Sequence, residues 1–351
     1  MTSGIKNIVY FDKWVAPIAT EILKARSDIQ LHRVEFTSSD EDIGPAFHNA
    51  HGYNCLPRNE TLERWWPRRE VIAGAPNLLA VCSAGAGYDM FDVDACTEAG
   101  IIVCNQSGTN QEAVAEHALG LMLALSKRIG YWNREMRRTP NVNRFDMMGN
   151  DLYGKTLGII GAGPIGAQLA RLCNTLLKMK ILAFDPYVSA EQIAAKGATK
   201  VELDELLRRS DFVSLNCPLN KETEGMFGAR EFSRMKPSAY FITTARGRVH
   251  DEDALVEALR AGRIAGAGLD VFHVEPPTLD HPLLAFDNVV VTPHMGGITV
   301  EALDETAEAA ARQWITIFDG KVPPRMVNPR AWPLYSKRFQ ELLGFRPEPL
   351  N

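Results

Sequence analysis

The sequence TLGIIGAGPIGAQLARLCNTL, residues 156–176, decides the fold of this chain. An apolar run typical of a buried strand leads into a glycine-rich turn, and a helical pattern follows directly. This context is typical of the turn that binds the pyrophosphate of a dinucleotide. The first glycine makes the tight turn, the second admits the phosphates, the third lets helix and strand pack closely, and the helix N-terminus offers N–H groups. The turn residues are Gly161, Gly163, Pro164, Ile165 and Gly166.

An acidic residue follows the next apolar run, KILAFD, at the position expected to bind a ribose. Asp185 lies 22 positions after Gly163 and can accept hydrogen bonds from the ribose hydroxyls. Its charge would repel a 2′-phosphate, and Pro186 and Tyr187 follow it where an NADP enzyme would want arginine. The sequence therefore predicts NAD as the cofactor. The alternative is that the glycines only pack a helix on a strand and Asp185 caps a turn.

Short strand-like runs alternate with helical patterns over nearly the whole chain. They are NIVYFD, LLAVCSAG, GIIVCN, TLGIIGAG, KILAFD, DFVSLNCP, AYFITTARG, GAGLDVF and NVVVTP. Such alternation predicts an α/β fold with parallel sheets and crossover helices. The runs outnumber the strands of one ordinary open sheet, so we expect two doubly wound parallel-sheet domains of Rossmann-like or flavodoxin-like type.

The segment that follows the first group of strands predicts one long helix over residues 111–138. Its first turns are apolar on most faces, so the helix must be buried all round. We expect it to pack against a second subunit, which predicts a homodimer. The tail, residues 331–351, is rich in proline and aromatic residues, and we expect it to wrap a surface.

Composition limits the classes of function. The 351 residues are 46% hydrophobic and 23% charged, the balance of a soluble globular protein, and the net charge of −5 gives no reason to expect nucleic acid or an anionic membrane as partner. The six cysteines form no CxxC pair and lie mostly in apolar runs, which favours a reducing cytoplasm and no metal site. The N-terminus lacks the apolar region of a signal peptide.

Three further segments carry a specific resemblance. SAYFITTARGRVHDEDALVEALRAGRIAGAGLDVFHVEPP contains Arg246 and Glu275, and HPLLAFDNVVVTPHMGG contains His294. Together with GAGPIG they resemble the D-isomer-specific 2-hydroxyacid dehydrogenases, which include phosphoglycerate, glyoxylate/hydroxypyruvate and D-lactate dehydrogenases. The resemblance runs from VCSAGAGYD to about Gly320.

The resemblance implies a division of the chain into domains. Residues 106–298 would form the NAD-binding domain, and residues 1–105 with 299–330 would form a discontinuous substrate domain. The active site would lie in the cleft between them, with residues 331–351 as a C-terminal tail.

Oxidation of a 2-hydroxy acid needs an acceptor for the hydride and a base for the hydroxyl proton. An arginine fork such as Arg246 can bind the carboxylate and the C2 oxygen. His294 can exchange the proton near neutral pH, and Glu275 can hold the imidazole and stabilise its charged form. The resemblance implies these same roles. Read singly, each residue could instead be an ordinary loop residue or a surface ion-pair partner.

The resemblance also implies further contacts to the substrate and to the cofactor. The glycine-rich turn after VCS would bind the substrate carboxylate through backbone N–H groups, with Ala84, Gly85 and Ala86 as candidates. Asp270 would bind the nicotinamide carboxamide with help from the Thr244 backbone, and Gly296 and Gly297 would leave room for the nicotinamide. Cys217 and Pro218 would line the adenine side. We expect His117, in VAEHALGL, to be a structural or interface residue.

The particular hydroxy acid is left open. Relatives with phosphorylated substrates tend to have a basic residue near position 52, where this chain offers His51 and Tyr53, although Arg58 is close. This disfavours phosphoglycerate, which stays as the alternative. A formate dehydrogenase-like enzyme would pair its histidine with glutamine, so Glu275 argues against one. An NAD(H)-sensing, corepressor-like binding protein is the alternative from another class.

Overall fold

The computed structural model describes residues 4–57, 61–139 and 141–350. The chain divides into two compact units, residues 1–110 with 299–351 and residues 111–298. Residues 331–350 belong to the first unit and not to a separate tail.

The elements of the described residues alternate as the sequence predicts. The strands are β1 (Lys6–Phe11), β2 (Ile29–Val34), β3 (Gly52–Cys55), β4 (Ala80–Ser83), β5 (Ile102–Cys104), β6 (Thr156–Ile160), β7 (Lys180–Phe184), β8 (Thr199–Lys200), β9 (Phe212–Leu215), β10 (Tyr240–Thr243), β11 (Gly266–Leu269) and β12 (Val289–Val291). The helices are α1 (Ile18–Lys24), α2 (Asp40–His48), α3 (Arg69–Ala73), α4 (Val93–Glu98), α5 (Gln111–Ser126), α6 (Ile129–Arg138), α7 (Pro164–Leu177), α8 (Ala190–Ala195), α9 (Leu203–Arg209), α10 (Ala229–Arg234), α11 (Glu252–Arg260), α12 (Val300–Phe318) and α13 (Trp332–Leu343).

The first unit is built on a parallel sheet with strand order β2-β1-β3-β4-β5. Successive side chains of a strand point to opposite faces, and both faces of this sheet are covered. Ala80 and Cys82 of β4 join a core formed with α1, α12 and α13, whereas Val81 joins the opposite core. This is the flavodoxin-like form of a doubly wound sheet.

The second unit is built on a parallel sheet with strand order β12-β11-β10-β9-β6-β7-β8. The order reverses at β6, so β6 and β9 flank the switch point where open α/β sheets bind ligands. The expected fold class, two doubly wound parallel-sheet α/β domains, is confirmed.

The predicted long helix over 111–138 is wrong in two respects. The helix breaks between α5 and α6 at Arg128, whose φ of 53° is left-handed. The apolar face of α5 is buried inside the second unit, where a Cβ on Gly268 of β11 would lie 3.0 Å from Leu121 and 3.2 Å from Leu125. The burial of α5 therefore gives no reason to expect a second subunit.

The expected surface tail is also wrong, because α13 is a core helix. Trp332, Tyr335 and Phe339 are almost fully buried against α12 and the first sheet. Their spacing of three and four residues is that of one helical face, and Pro333 lies in the first turn, where proline is tolerated. Trp332 and Tyr335 therefore serve packing. No helix of the described residues is long and apolar enough to cross a membrane.

Candidate active site

The three proposed catalytic residues follow three neighbouring strands of the second unit. Arg246 comes after β10, Glu275 after β11 and His294 after β12. Because all strands of this sheet are parallel, the segments that carry them leave from the same edge. The glycine turn after β6, Asp185 after β7 and Cys217 after β9 leave from that edge too.

His294 and Glu275 form a direct pair. His294 Nδ1 lies 2.7 Å from Glu275 Oε2, and Glu275 Oε1 accepts a hydrogen bond of 2.9 Å from the backbone N–H of Phe272. Both oxygens of Glu275 are thus engaged. The side chain of Glu275 is 13% exposed, and that of His294 is 34% exposed. A buried carboxylate on Nδ1 leaves Nε2 as the ring nitrogen that can exchange a proton with a bound molecule.

The backbone of His294 has an uncommon conformation. Its φ of 56° is left-handed, which costs a residue other than glycine about 1–3 kcal/mol. Such a conformation persists only where the surrounding structure imposes it, and it clusters at functional sites. Asp270 supplies part of this constraint: its Oδ1 accepts from the N–H of Met295 and its Oδ2 from the N–H of Gly296, both at 2.8 Å.

Arg246 begins a short 3-10 turn, Gly247–Val249, and its Nη1 donates to the carbonyl of Ala245 at 2.7 Å. A Cβ on Gly247 would lie 2.0 Å from the backbone of Phe272. Glycine is therefore required there, because it lets the Arg246 turn pack against the segment that leads to Glu275. This role of Gly247 was not predicted from the sequence, although a glycine directly after the arginine is a signal of close backbone approach.

The glycine turn between β6 and α7 is tightly packed at two of its three glycines. Gly161 has a φ of 92°, and a Cβ there would lie 2.9 Å from Cys217 N; a Cβ on Gly166 would lie 2.2 Å from Gly161 O. At Gly163, in contrast, no atom lies within 4 Å of the Cβ position. Gly163 precedes α7, whose N-terminus has no side-chain cap and whose first residue is Pro164, so the N–H groups of the first turn begin at Ile165.

Asp185 is fixed beside this turn. Its two oxygens accept hydrogen bonds of 2.9 Å, one from the N–H of Ala162 and one from the N–H of Tyr187. Each carboxylate oxygen can accept a second hydrogen bond, so Asp185 can still bind the two hydroxyls of a ribose. Pro186 is exposed beside it.

The other predicted cofactor residues lie at the same sheet edge. Cys217 is half-buried beside Met226, and burial raises the pKa of its thiol to about 11, so the thiol is protonated at neutral pH. Thr244 is buried directly after β10. Gly296 is buried, and a Cβ there would lie 3.0 Å from Asp270 Oδ2. Pro218 and Gly297 follow Cys217 and Gly296 directly in the chain.

The predicted substrate loop belongs to the first unit, at the carboxyl end of β4. The N–H of Ala84 is used within the fold, since it donates to Cys55 O at 2.8 Å, and the N–H of Gly85 donates to Ser83 Oγ at 3.2 Å. The carbonyls of Gly85 and Ala86 accept from Gln106 N and Asn105 Nδ2. Among the three candidates for substrate binding, Ala86 is the one whose N–H makes no hydrogen bond within the described residues.

The residues near position 52 lie away from the loop after β4. His51 lies at the amino end of β3, where its Nδ1 accepts from Asn7 N, and Tyr53 is buried with its hydroxyl donating to Trp65 O. Neither lies at the carboxyl edge that carries the substrate loop. Arg58 lies outside the described residues.

Comparison with known proteins identifies the family. The model of the D-isomer specific 2-hydroxyacid dehydrogenase NAD binding domain matches residues 119–296. A glyoxylate reductase from Thermofilum pendens is 35% identical over 331 residues, which cover 91% of this chain and 94% of that protein. The chain belongs to this family. Its members are NAD-dependent oxidoreductases that act on CH–OH donors, and the matched residues are its NAD-binding domain.

Two further likenesses show the breadth of the family. A D-3-phosphoglycerate dehydrogenase from Archaeoglobus fulgidus is 43% identical over 259 residues, which cover 74% of this chain but only 49% of that protein. The chain thus spans about half the length of that relative. A crystal structure of a glyoxylate reductase from Paecilomyes thermophila superposes with a TM-score of 0.82 at 30% identity, covering 93% of this chain and 99% of that one.

Proposed function

We propose that this chain catalyses reversible hydride transfer between NAD(H) and a 2-hydroxy or 2-keto acid. The observation that carries the proposal is the contact of 2.7 Å between His294 Nδ1 and Glu275 Oε2, with Glu275 held by Phe272 N. Glu275 fixes the tautomer that has its proton on Nδ1 and stabilises the imidazolium. In reduction, His294 donates the Nε2 proton to the C2 oxygen; in oxidation it takes that proton back.

The residues of the second unit fit NAD. The space at Gly163, the uncapped N-terminus of α7 and the remaining acceptor capacity of Asp185 are what a pyrophosphate and a ribose diol require. NAD, when bound, would exchange a hydride with C2 of the substrate. Gly161, Gly163 and Ile165 would line the phosphates, and Cys217 and Pro218 the adenine side.

Arg246 would bind the substrate carboxylate and C2 oxygen through its planar donor fork. Of the loop residues after β4, Ala86 is better suited as a backbone donor than Ala84 and Gly85, whose N–H groups are already used. These contacts would orient C2 and hold the negative charge of the substrate.

The substrate is a 2-keto acid whose side chain we leave unassigned, with a preference against phosphoglycerate. This preference rests on residues 50–55, which contain no Arg or Lys. Phosphoglycerate dehydrogenase activity is the runner-up, because of the identity to that class of relatives.

A panel of 2-keto acids with NADH tests the proposal. Glyoxylate, hydroxypyruvate, pyruvate, phenylpyruvate and phosphohydroxypyruvate would each be assayed for steady NADH oxidation. Turnover of one or more supports the dehydrogenase, and fastest turnover of phosphohydroxypyruvate favours the runner-up. NADH binding with no turnover of any acid would favour an NAD(H)-sensing binding protein instead.

We also propose a homodimer, for a reason that differs from the sequence argument. Helix α6 and the segment after it expose an unusual number of large apolar side chains, and none of the residues of α6 is buried. Large apolar side chains that stay exposed in this way are typical of an interface. Its members are Ile129, Met136, Phe145, Met148 and Tyr153. A concentration-independent monomer mass in sedimentation equilibrium would contradict this proposal.

A cytoplasmic location is proposed on the cysteines. All six are free thiols, and five of them are buried in the cores. Free buried thiols are typical of proteins that fold in a reducing compartment.

A further inference from the structure

The turn that carries His294 lies on a buried carboxylate. Asp270, whose side chain is 2% exposed, accepts from the N–H of Met295 and the N–H of Gly296, the two residues that follow His294. Oδ1 of Asp270 also accepts from the hydroxyl of Thr292 at 2.6 Å, two residues before His294. One carboxylate thus binds the chain on both sides of the histidine.

The proton of Thr292 defines the next contact. A hydroxyl has one proton, and Thr292 donates it to Asp270, so Oγ1 can only accept from any other partner. That partner is His117 of α5, whose Nε2 lies 2.8 Å from Thr292 Oγ1 and 3.4 Å from Asp270 Oδ1. His117 must therefore present an N–H at Nε2. The result is an ordered chain from His117 through Thr292 to Asp270.

The ring of His117 also supports the turn sterically. The Cβ position of Gly296 lies 3.5 Å from His117 Cδ2 and 3.0 Å from Asp270 Oδ2. The turn is closed further by bonds from Thr292 N to Leu269 O and from His294 N to Thr292 O. His294 is thus enclosed in a turn fixed by α5, β11 and its own backbone.

We propose that His117 and Thr292 are positioning residues for the proton transfer, because they orient the Asp270 carboxylate that holds the His294 turn in its left-handed conformation. This inference rests on the proposed function of His294. It gives a second histidine–carboxylate group in which Asp270 fixes the backbone of His294, whereas Glu275 fixes its ring.

The charge state of Asp270 agrees with this role. Burial alone would raise the pKa of its carboxyl, but the hydrogen bonds from His117, Thr292 and the N–H groups of Met295 and Gly296 outweigh burial and hold the pKa below its ordinary value. Asp270 is therefore an acceptor throughout the neutral range. A carboxylate has about four acceptor positions. The three short bonds, from Thr292, Met295 N and Gly296 N, leave roughly one position for a cofactor amide.

Substitution of Thr292 tests the inference. Thr292→Val removes the hydroxyl at nearly constant shape, and Thr292→Ser keeps it. We expect Thr292→Val to lower kcat about 10- to 100-fold, since a small misplacement of a catalytic group is costly. Thr292→Ser should retain most of kcat, and KM for NADH should change little in both. Thr156→Val, which removes a hydroxyl from β6 of the same sheet, is the matched control.

A second variant shows whether His117 and Thr292 act through the same carboxylate. His117→Ala should lower kcat less than Thr292→Val, and the double variant should be little worse than Thr292→Val alone, because residues that act as a unit are not additive. Additive losses, or an unchanged kcat in both single variants, would overturn the inference. Weaker NADH binding with unchanged kcat would also overturn it, by making Asp270 a cofactor contact only.

The design separates this inference from the proposed function. If His294→Gln is inactive while Thr292→Val and His117→Ala keep wild-type kcat, the function stands and the inference fails. If His294→Gln is fully active, the role proposed for His294 as acid and base fails, and the inference fails with it. Thermal unfolding of every variant is measured; should Thr292→Val not fold, kcat of His117→Ala relative to wild type decides the inference.

Discussion

Replacement of Glu275 by glutamine removes charge at almost constant shape and affects two hydrogen bonds. Oε2 of Glu275 lies 2.7 Å from His294 Nδ1, and Oε1 accepts from Phe272 N at 2.9 Å. Glutamine has only one carbonyl oxygen, so its NH₂ group must face one of these donors. Either the ring of His294 or the backbone at Phe272 loses its acceptor, and the imidazolium loses its counter-charge.

The magnitude follows from the kind of bond. A hydrogen bond to a charged group contributes about 1.5–3 kcal/mol, and Glu275 is mostly buried, so solvent offsets little of it. If that contribution is made in the transition state, kcat should fall about 10- to 150-fold. KM for NADH should be nearly unchanged, because Glu275 is proposed to act on His294 and not on the cofactor.

The assay is steady-state NADH oxidation with the best 2-keto acid, together with NADH binding followed by fluorescence. Glu257→Gln is the matched control, because Glu257 lies on the surface of α11 with a side chain 69% exposed. That variant should behave as wild type. A Glu275→Gln protein with unchanged kcat would refute the role given to the pair.

Three further predictions concern the cofactor turn and stability. Gly163→Ala should fold normally but bind NADH at least about 10-fold more weakly, because its Cβ fills the space next to the helix N-terminus. Gly166→Ala should instead lose thermal stability, because its Cβ would lie 2.2 Å from Gly161 O. Stable but weakly binding Gly166→Ala together with unstable Gly163→Ala would contradict this prediction. Asp185→Asn should weaken NAD binding and relax discrimination against NADP, and an unchanged ratio of kcat/KM values would count against a ribose contact. Burial lowers the pKa of His250 from 6.5 to about 3. As pH falls below 6.5, this histidine becomes protonated in the unfolded chain but stays neutral in the folded chain, so the folded state loses stability. The free energy of unfolding, measured with urea, should therefore fall about 2 kcal/mol less between pH 8 and pH 5 in His250→Leu than in the wild type. An equal fall in both proteins would show that His250 is not the source of the acid destabilisation.

The sequence predicts those parts of the fold in which local pattern and tertiary burial agree. The runs of β6, β7 and β9–β12 are apolar because both faces of their sheet are covered, and each was predicted. Strand β2 was not, because IQLHRV is an edge strand with polar residues along half of its length. Helix α13 was missed because the proline-rich sequence around it suggests a loop, although Trp332, Tyr335 and Phe339 have helical spacing.

The candidate site shows a similar division. Gly161, Gly166 and Asp185 are recognisable because the chemistry of a turn and of a ribose requires these residue types at a fixed spacing. The chain from His117 to Asp270 is not, because its members are 175 and 22 positions from Thr292 and no local pattern links them. Only the packing of α5 on the sheet edge brings them together.

Replacement of His294 by glutamine tests the central claim most directly. General acid–base catalysis contributes about 10²- to 10⁴-fold, so kcat for the reduction of the best keto acid should fall by that factor at neutral pH. The dissociation constant for NADH and the thermal unfolding temperature should equal those of the wild type. A His294→Gln protein that keeps wild-type kcat would contradict the assignment of His294 as the acid and base.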